Sequence, residues 1–135
     1  MCPHLFVYGT LQSSFDHPVA RSLAAQAELL GPARLCGRIY RVTPRYPGLV
    51  LSEDPRDQVH GEVYFLRDPP ALLETLDRYE GCSSRSPKPF EYERVLASAR
   101  LDGGRSIEVW TYVYRRPVRG EDLITSGRYE LHSPV

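Results

Sequence analysis

The stretch that decides the fold is Leu5-Phe6-Val7-Tyr8-Gly9-Thr10-Leu11-Gln12, in which an apolar run ends at a glycine. A continuous apolar run bounded by a turn signal is typical of a buried β-strand. The glycine lets the backbone turn sharply and approach a ligand closely, which leaves N–H groups free to hold an anion or a carbonyl oxygen. The stretch therefore predicts a buried strand followed either by an ordinary turn or by a binding loop, and isolated glycines mostly mark ordinary turns.

The length and the composition are those of one globular domain. The chain has 135 residues, of which 41% are hydrophobic, and its 17 basic residues are matched by 17 acidic ones. This length is enough to bury one core and one deep pocket. The balanced charge lacks the basic surface that nucleic-acid-binding proteins show. We expect a single domain over residues 1–135 that does not have nucleic acid as its main partner.

The cysteines and histidines indicate neither a disulfide framework nor a metal site. Cys2, Cys36 and Cys82 are odd in number and lack C-x-x-C spacing, which favours free thiols in a reducing cytoplasm. The four histidines form no H-E-x-x-H or H-x-H pair. The chain also lacks a G-x-G-x-x-G motif and a phosphate-binding P-loop. We expect no metal and no cofactor.

The start of the chain has no charged region followed by a long apolar stretch, and no segment approaches the about 18 apolar residues that cross a bilayer. We therefore expect a cytoplasmic protein without a membrane partner.

Periodicity and punctuation predict two helices among several strands. The first helix begins at Pro18 and repeats apolar residues at helical spacing up to Leu30, before Gly31 and Pro32. The second follows Asp68 as its N-cap, begins at Pro69 and ends at Gly81. Further strands are predicted at residues 33–42, 48–51, 59–66, 92–101 and 106–114. This order predicts an α+β fold with a largely antiparallel, barrel-like mixed sheet and two main helices.

Glu80 is the candidate for proton transfer. It falls at the end of the second predicted helix, where the partial negative charge disfavours a carboxylate and raises its pKa unless it is fully solvated. A carboxyl group with a raised pKa suits a general acid/base near neutral pH. The alternative is a solvated glutamate on a frayed helix end. No G-x-S-x-G motif offers a competing nucleophile.

Several other residues keep two interpretations. Arg94 and Glu62, on predicted strands, either orient Glu80 or a substrate carboxylate, or form an ion pair on the sheet surface. The segment 82–89, rich in serine and proline, is either a connector or a lid. Three tyrosines are expected in the core or at a pocket rim: Tyr40, Tyr46 and Tyr64.

Two motifs together resemble the signatures of the gamma-glutamylcyclotransferase-like family. These are Tyr8-Gly9-Thr10-Leu11 after an apolar strand, and Leu76-Asp77-Arg78-Tyr79-Glu80-Gly81. The pattern continues, in the same order, at residues 37–40, 46–48, 59–64, 92, 94, 110–114 and 126–127. The resemblance covers nearly the whole chain and is to the short form of the family, which includes gamma-glutamylamine cyclotransferases. The chain departs from it at Arg128, where the family has a tryptophan, and at 12–14, where members often have a basic residue and a glycine.

The resemblance implies an activity and a set of site residues. It implies that Glu80 is the acid/base in a reaction that releases 5-oxoproline and a free amine from a small gamma-glutamyl compound, without a metal or a cofactor. The residues it implies for substrate binding are Tyr8, Gly9, Thr10, Leu11 and, on a late strand, Tyr112.

A non-catalytic module that binds a small polar ligand on the same fold is the alternative. A wider role in processing gamma-glutamyl amines or peptides in a biosynthetic pathway is compatible with the same residues. The position of Glu80 favours an enzyme, because a pure binding protein does not need a carboxylate at an unfavourable helix end.

Overall fold

A computed structural model of the chain describes residues 1–9, 11–12, 18–43, 46–83, 86 and 88–129. The strands, in chain order, are β1 (His4–Val7), β2 (Ala27–Arg41), β3 (Pro47–Leu51), β4 (Gln58–Leu66), β5 (Tyr92–Leu101) and β6 (Ser106–Tyr114). The α-helices are α1 (Pro18–Gln26) and α2 (Pro69–Glu80), and a short 3-10 helix covers Gly120–Asp122. In the described part of the chain, no helix is long and apolar enough to span a membrane.

Five strands close into a barrel. Their order is β2-β4-β1-β6-β5, and β5 pairs again with β2, with Ala33 opposite Leu101, to close the ring. The pairing of β1 with β6 is parallel, with Leu5 opposite Trp110, and the other described pairings are antiparallel. β3 pairs with the second half of β2 outside the ring. This topology confirms the predicted α+β fold with a barrel-like mixed sheet.

Alternate side chains along β1 contribute to two separate hydrophobic clusters. Phe6 and Tyr8 pack into one cluster with residues such as Val63, inside the barrel. Leu5 and Val7 belong to a second cluster, which both helices cover from outside. Because successive side chains of a strand point to opposite faces, one apolar run can supply both clusters. The predicted buried strand is therefore confirmed, and its end lies between the barrel and the helices.

The close packing of β1 on β4 depends on a glycine. A Cβ added to Gly61 would overlap the carbonyl oxygen of Val7 and would lie 2.8 Å from the ring of Phe6. A larger residue there would push the two strands apart. Gly61 thus lets the aromatic ring fill the barrel while β1 stays in register.

The predicted extent of α1 is wrong. The helix ends at Gln26, and Ala27 already pairs with Leu66 of β4. Leu30 is 41% exposed and sits where the pairing of β2 with β4 shifts register, next to Gly31 with φ +128°. The glycine therefore shapes a bulge within a strand instead of ending a helix. Cross-strand pairing of this segment overrides its helical spacing.

The predicted helix α2 is confirmed, and its end is defined by hydrogen bonds. Gly81 adopts φ +76°, its N–H donates to the Arg78 carbonyl at 3.3 Å, and the Cys82 N–H donates to the Asp77 carbonyl at 2.9 Å. This is the usual way for a glycine to end a helix. At the other end, the Asp68 side chain makes no capping hydrogen bond, and only its backbone carbonyl accepts one. Glu80 is thus fixed as the last residue of α2.

Candidate active site

A cavity of about 340 Å³ opens where β1 ends, beside the carboxyl end of α2. Its volume is in the range of small-molecule sites, which begins at about 300 Å³. The structure brings the following predicted site residues together in its lining: Tyr8, Gly9, Leu11, Glu80 and Tyr112. Thr10, the remaining one, lies outside the described residues. The end of β1, the end of α2 and β6 therefore meet at one cavity, although they are far apart in the chain. β1 and β6 are neighbours in the barrel.

Glu80 enters the cavity wall from the end of α2 and is partly buried. Burial raises the pKa of its carboxyl group to about 7, and the negative charges of Glu91 and Asp77 add to this shift. The pKa of a glutamate is ordinarily 4.5. A group that titrates at about 7 is ionised often enough to accept a proton at neutral pH and is acidic enough to return it.

Three of the five tyrosines that line the cavity direct their hydroxyl protons into the protein. The Tyr8 hydroxyl donates to the Tyr112 carbonyl at 2.6 Å, and the Tyr92 hydroxyl donates to the Pro47 carbonyl at 2.7 Å. The Tyr112 hydroxyl donates to Oδ1 of Asp77 at 2.7 Å. Burial raises the pKa of Tyr8, Tyr92 and Tyr112, so all three are neutral near pH 7.

The turn after β1 is tight and packed against β3. The Gln12 N–H donates to the Gly9 carbonyl at 3.1 Å, and the Gln12 side chain donates to the Tyr8 carbonyl at 3.0 Å. A Cβ on Gly9 would lie 3.1 Å from Cδ of Pro47, closer than ordinary packing allows. Among the described residues, the Gly9 N–H has no hydrogen-bond acceptor. Because Gly9 also lines the cavity, its N–H is a candidate donor to a bound ligand.

Arg94 and Glu62 do not line this cavity. Nε of Arg94 lies 2.8 Å from Oδ1 of Asp77, and the Arg94 guanidinium stacks over the Trp110 ring at 4.3 Å. Arg94 therefore forms an ion pair, the second of its two interpretations. The pair joins α2 to β5 and is mostly buried, whereas an exposed pair on the sheet surface was expected. Glu62 lies on β4, opposite Val7 of β1.

Sequence reasoning missed two features of the cavity wall. Glu91 and Tyr92 both line it, at the start of β5. Tyr92 belongs to the family pattern, but no role was assigned to it. The only sequence signal for Glu91 is its position just before a strand, and its charge acts on Glu80 through space. Tyr46 lies at the rim, 39% exposed, as expected, and Tyr40 and Tyr64 are in the core.

The segment 82–89 and the possible metal ligands can be located only among the described residues. Residues 84, 85 and 87 lie outside the described part of the chain, and the described positions of the segment do not line the cavity. Across the described ranges, no group of three or more His, Cys, Asp or Glu side chains is arranged to hold a metal ion.

The raised pKa of Glu80 predicts a pH-dependent stability. The folded protein holds a proton on Glu80 up to about pH 7, whereas the unfolded chain loses it near 4.5. Stability from this group is therefore fully present below about pH 4.5 and is lost as the pH rises from there through 7. At about 1.36 kcal/mol per pKa unit, we expect E80Q to exceed the wild type in unfolding free energy by up to about 3 kcal/mol at pH 8.5.

Urea unfolding at pH 8.5 and pH 4.5 measures this difference, which should vanish at the lower pH. The matched variant E74Q, at an exposed position on the same helix, should follow the wild type at both. Equal stabilities of E80Q and the wild type at pH 8.5 would refute the shift.

Comparison with known proteins gives a family match over most of the chain. The family described as "Gamma-glutamyl cyclotransferase, AIG2-like" matches residues 5–131. The chain is 33% identical over 124 residues to the gamma-glutamylcyclotransferase family protein YtfP of Escherichia coli K12, covering 91% of this chain and 92% of YtfP. It is 30% identical over 115 residues to gamma-L-glutamyl-butirosin B gamma-glutamyl cyclotransferase of Niallia circulans, covering 84% and 68% of the two chains.

Solved structures share the fold. The mouse AIG2-like protein superimposes with a TM-score of 0.65 at 19% identity, covering 98% of both chains. Bacillus subtilis YkqA gives a TM-score of 0.69 at 22% identity, over 96% of this chain but 40% of YkqA. At these identities the likeness concerns the fold alone.

Proposed function

The chain belongs to the gamma-glutamyl cyclotransferase, AIG2-like family, and on this premise we propose that it releases 5-oxoproline and a free amine from a small gamma-glutamyl compound. It is an enzyme of the gamma-glutamyl cyclotransferase type. The observation that carries the proposal is the position of Glu80, whose pKa of about 7 is combined with a place on the wall of a small cavity. Gly9, with its backbone donor, lies on the same wall.

The reaction is an intramolecular acyl transfer. The neutral α-amine of the substrate attacks its own side-chain carbonyl, so that a new C–N bond closes a five-membered ring and the C–N bond to the leaving amine breaks. Glu80 takes the proton that the attacking nitrogen loses and delivers it to the leaving nitrogen, so it ends in its starting state. Because nucleophile and electrophile belong to one molecule, the cavity chiefly has to select the folded-back conformer.

The turn after β1 is the proposed cradle of the substrate. The Gly9 N–H can donate to the substrate carboxylate or to the oxyanion that develops on the attacked carbonyl. One such donor is worth about 3 kcal/mol of barrier in other enzymes. Tyr8, Leu11 and Tyr112 bound the same space and are proposed to hold the gamma-glutamyl part, and Thr10 is retained in this role from the family resemblance.

The names of two relatives guide the choice of substrates to test. The name of the N. circulans relative specifies a gamma-glutamyl butirosin. A zebrafish relative, 25% identical over 138 residues, is named gamma-glutamylaminecyclotransferase A. We propose gamma-glutamyl amines as the first compounds to test.

The test is to incubate the protein with gamma-glutamyl amines, gamma-glutamyl amino acids and glutathione, and to quantify 5-oxoproline and free amine. We expect both products in equal amounts from at least one compound. Binding of a compound without any product would instead support a non-catalytic binding module.

Burial is the largest cause of the raised Glu80 pKa, and Glu91 contributes to the pH range of this activity. Its negative charge is the larger of the two that raise the Glu80 pKa, and the proton acceptor must be ionised. We therefore expect E91Q to lower the Glu80 pKa and to move the acidic limb of the kcat/KM profile to lower pH. E93Q, two residues further along in β5 and outside the cavity lining, is the control and should leave the limb in place. An unmoved limb in E91Q would show that Glu91 does not act on the proton acceptor.

A further inference from the structure

We propose that Asp77 is a positioning residue that directs the hydroxyl proton of Tyr112 away from the substrate, and that Arg94 holds Asp77 in place. The inference rests on the proposed function, because it assigns Tyr112 a defined role in that cavity: its oxygen meets the substrate as a hydrogen-bond acceptor.

The geometry is a chain of short contacts leading away from the cavity. The Tyr112 hydroxyl donates to Oδ1 of Asp77 at 2.7 Å. The same carboxylate accepts from Nε of Arg94 at 2.8 Å and, on its other oxygen, from Nη2 at 3.2 Å. The Arg94 guanidinium in turn lies over the Trp110 ring at 4.3 Å. Two bonds from a planar guanidinium fix the carboxylate more firmly than a single contact would.

Asp77 and Arg94 do not touch the substrate space. Both line a different cavity of about 390 Å³, between α2 and β5, whereas Tyr112 lines the candidate active site. The Asp77 and Arg94 side chains are only 17% and 20% exposed, so much of their surface is removed from solvent. Any effect of Asp77 on catalysis must therefore pass through Tyr112 or through its charge on Glu80.

The direction of the Tyr112 proton determines whether the Tyr112 oxygen acts as a donor or as an acceptor toward the substrate. A phenol has one proton to donate, and once Asp77 accepts it, the oxygen has only lone pairs left for another partner. Tyr8 and Tyr92 commit their protons to backbone carbonyls in the same way. This arrangement suits an N–H donor, which a gamma-glutamyl amine carries at both its α-amine and its leaving nitrogen. Tyr112 would hold one of these nitrogens close to Glu80.

The test is a double-mutant cycle on turnover, at a pH where Glu80 is fully ionised. D77A and Y112F should each lower kcat about tenfold, the loss expected when about 1.4 kcal/mol of transition-state orientation is removed. D77A/Y112F should be no slower than the slower single variant, because each change removes the same interaction between Tyr112 and Asp77. D77N retains an oxygen that can accept the Tyr112 proton and should recover most of kcat. E74A, at an exposed position one turn earlier on α2, should match the wild type.

A second measurement does not need turnover. In protein labelled with 13C at the tyrosine ζ-carbon, the Tyr112 signal, identified by its absence from Y112F, should move in D77A and stay in place in E74A. If D77A does not fold, D77A/R94M replaces it, since that variant leaves no unpaired guanidinium.

The outcomes separate the two proposals. Absence of 5-oxoproline from every substrate in the wild type refutes the proposed function, and the NMR signal then decides the positioning role alone. An unmoved Tyr112 signal in D77A overturns the inference. Losses that multiply in D77A/Y112F, or a D77N as slow as D77A, overturn it as well.

Discussion

Replacing Glu80 with glutamine should lower kcat about 10²- to 10⁴-fold, the range that general acid–base catalysis contributes in enzymes. Glutamine keeps the shape of the side chain and its place at the end of α2 but cannot accept the proton that the attacking amine must lose. The cavity and the turn at Gly9 should remain intact, so KM should change little. The measurement is steady-state 5-oxoproline formation from the best gamma-glutamyl substrate, with folding checked by circular dichroism.

Two controls make this loss specific to Glu80. E74Q removes a carboxylate from an exposed position on the same helix and should retain wild-type kcat. E91Q removes the neighbouring carboxylate of the cavity, and at pH 8.5 it should retain most of the activity because Glu80 is ionised there in both proteins. A folded E80Q with undiminished turnover would show that another group moves the proton.

Replacing Gly61 with alanine should strongly destabilise the folded protein. The new Cβ would overlap the carbonyl oxygen of Val7 and press on the ring of Phe6. Because the obstacle is backbone in the neighbouring strand, β1 and β4 would have to separate. We expect a loss of about 3 kcal/mol or more in unfolding free energy, at the upper end of what overpacking costs.

Gly120 provides the matched control. A Cβ there has no neighbour within 4 Å, and its φ is not in the left-handed region, so G120A should stay within about 0.5 kcal/mol of the wild type. Urea unfolding of both variants measures the contrast. A G61A protein as stable as G120A would mean that β1 and β4 do not pack as closely as described.

The fold could be predicted where local signals agree with the tertiary structure. The apolar run before Gly9 is β1, and Pro69 and Gly81 mark the ends of α2 because proline suits a first turn and a left-handed glycine ends a helix. The same local rules fail at Leu30 and Gly31. There, pairing with β4 holds an apparently helical segment in a strand, and no local signal reports a distant partner.

The site could be predicted in part for the same reason. Glu80 stands out locally, because a carboxylate at a helix end breaks an electrostatic rule. Its neighbours do not: the charge of Glu91 reaches it only once β5 lies beside α2. The bond from Tyr112 to Asp77 likewise joins residues 35 positions apart, on β6 and α2. Closure of the barrel creates these contacts, and one-dimensional patterns do not contain them.

We propose that Glu80, which is partly buried and has a raised pKa, carries the proton in gamma-glutamyl cyclisation. The most direct test is the pH dependence of kcat/KM for the wild type on its best gamma-glutamyl substrate, from pH 4 to 9. Once the rates are corrected for the fraction of substrate whose α-amine is neutral, the acidic limb should rise with a midpoint of about 7, the pKa of Glu80 in the folded protein, and E80Q should have lost it. A limb with its midpoint near 4.5, or a flat profile over this range, would contradict the account.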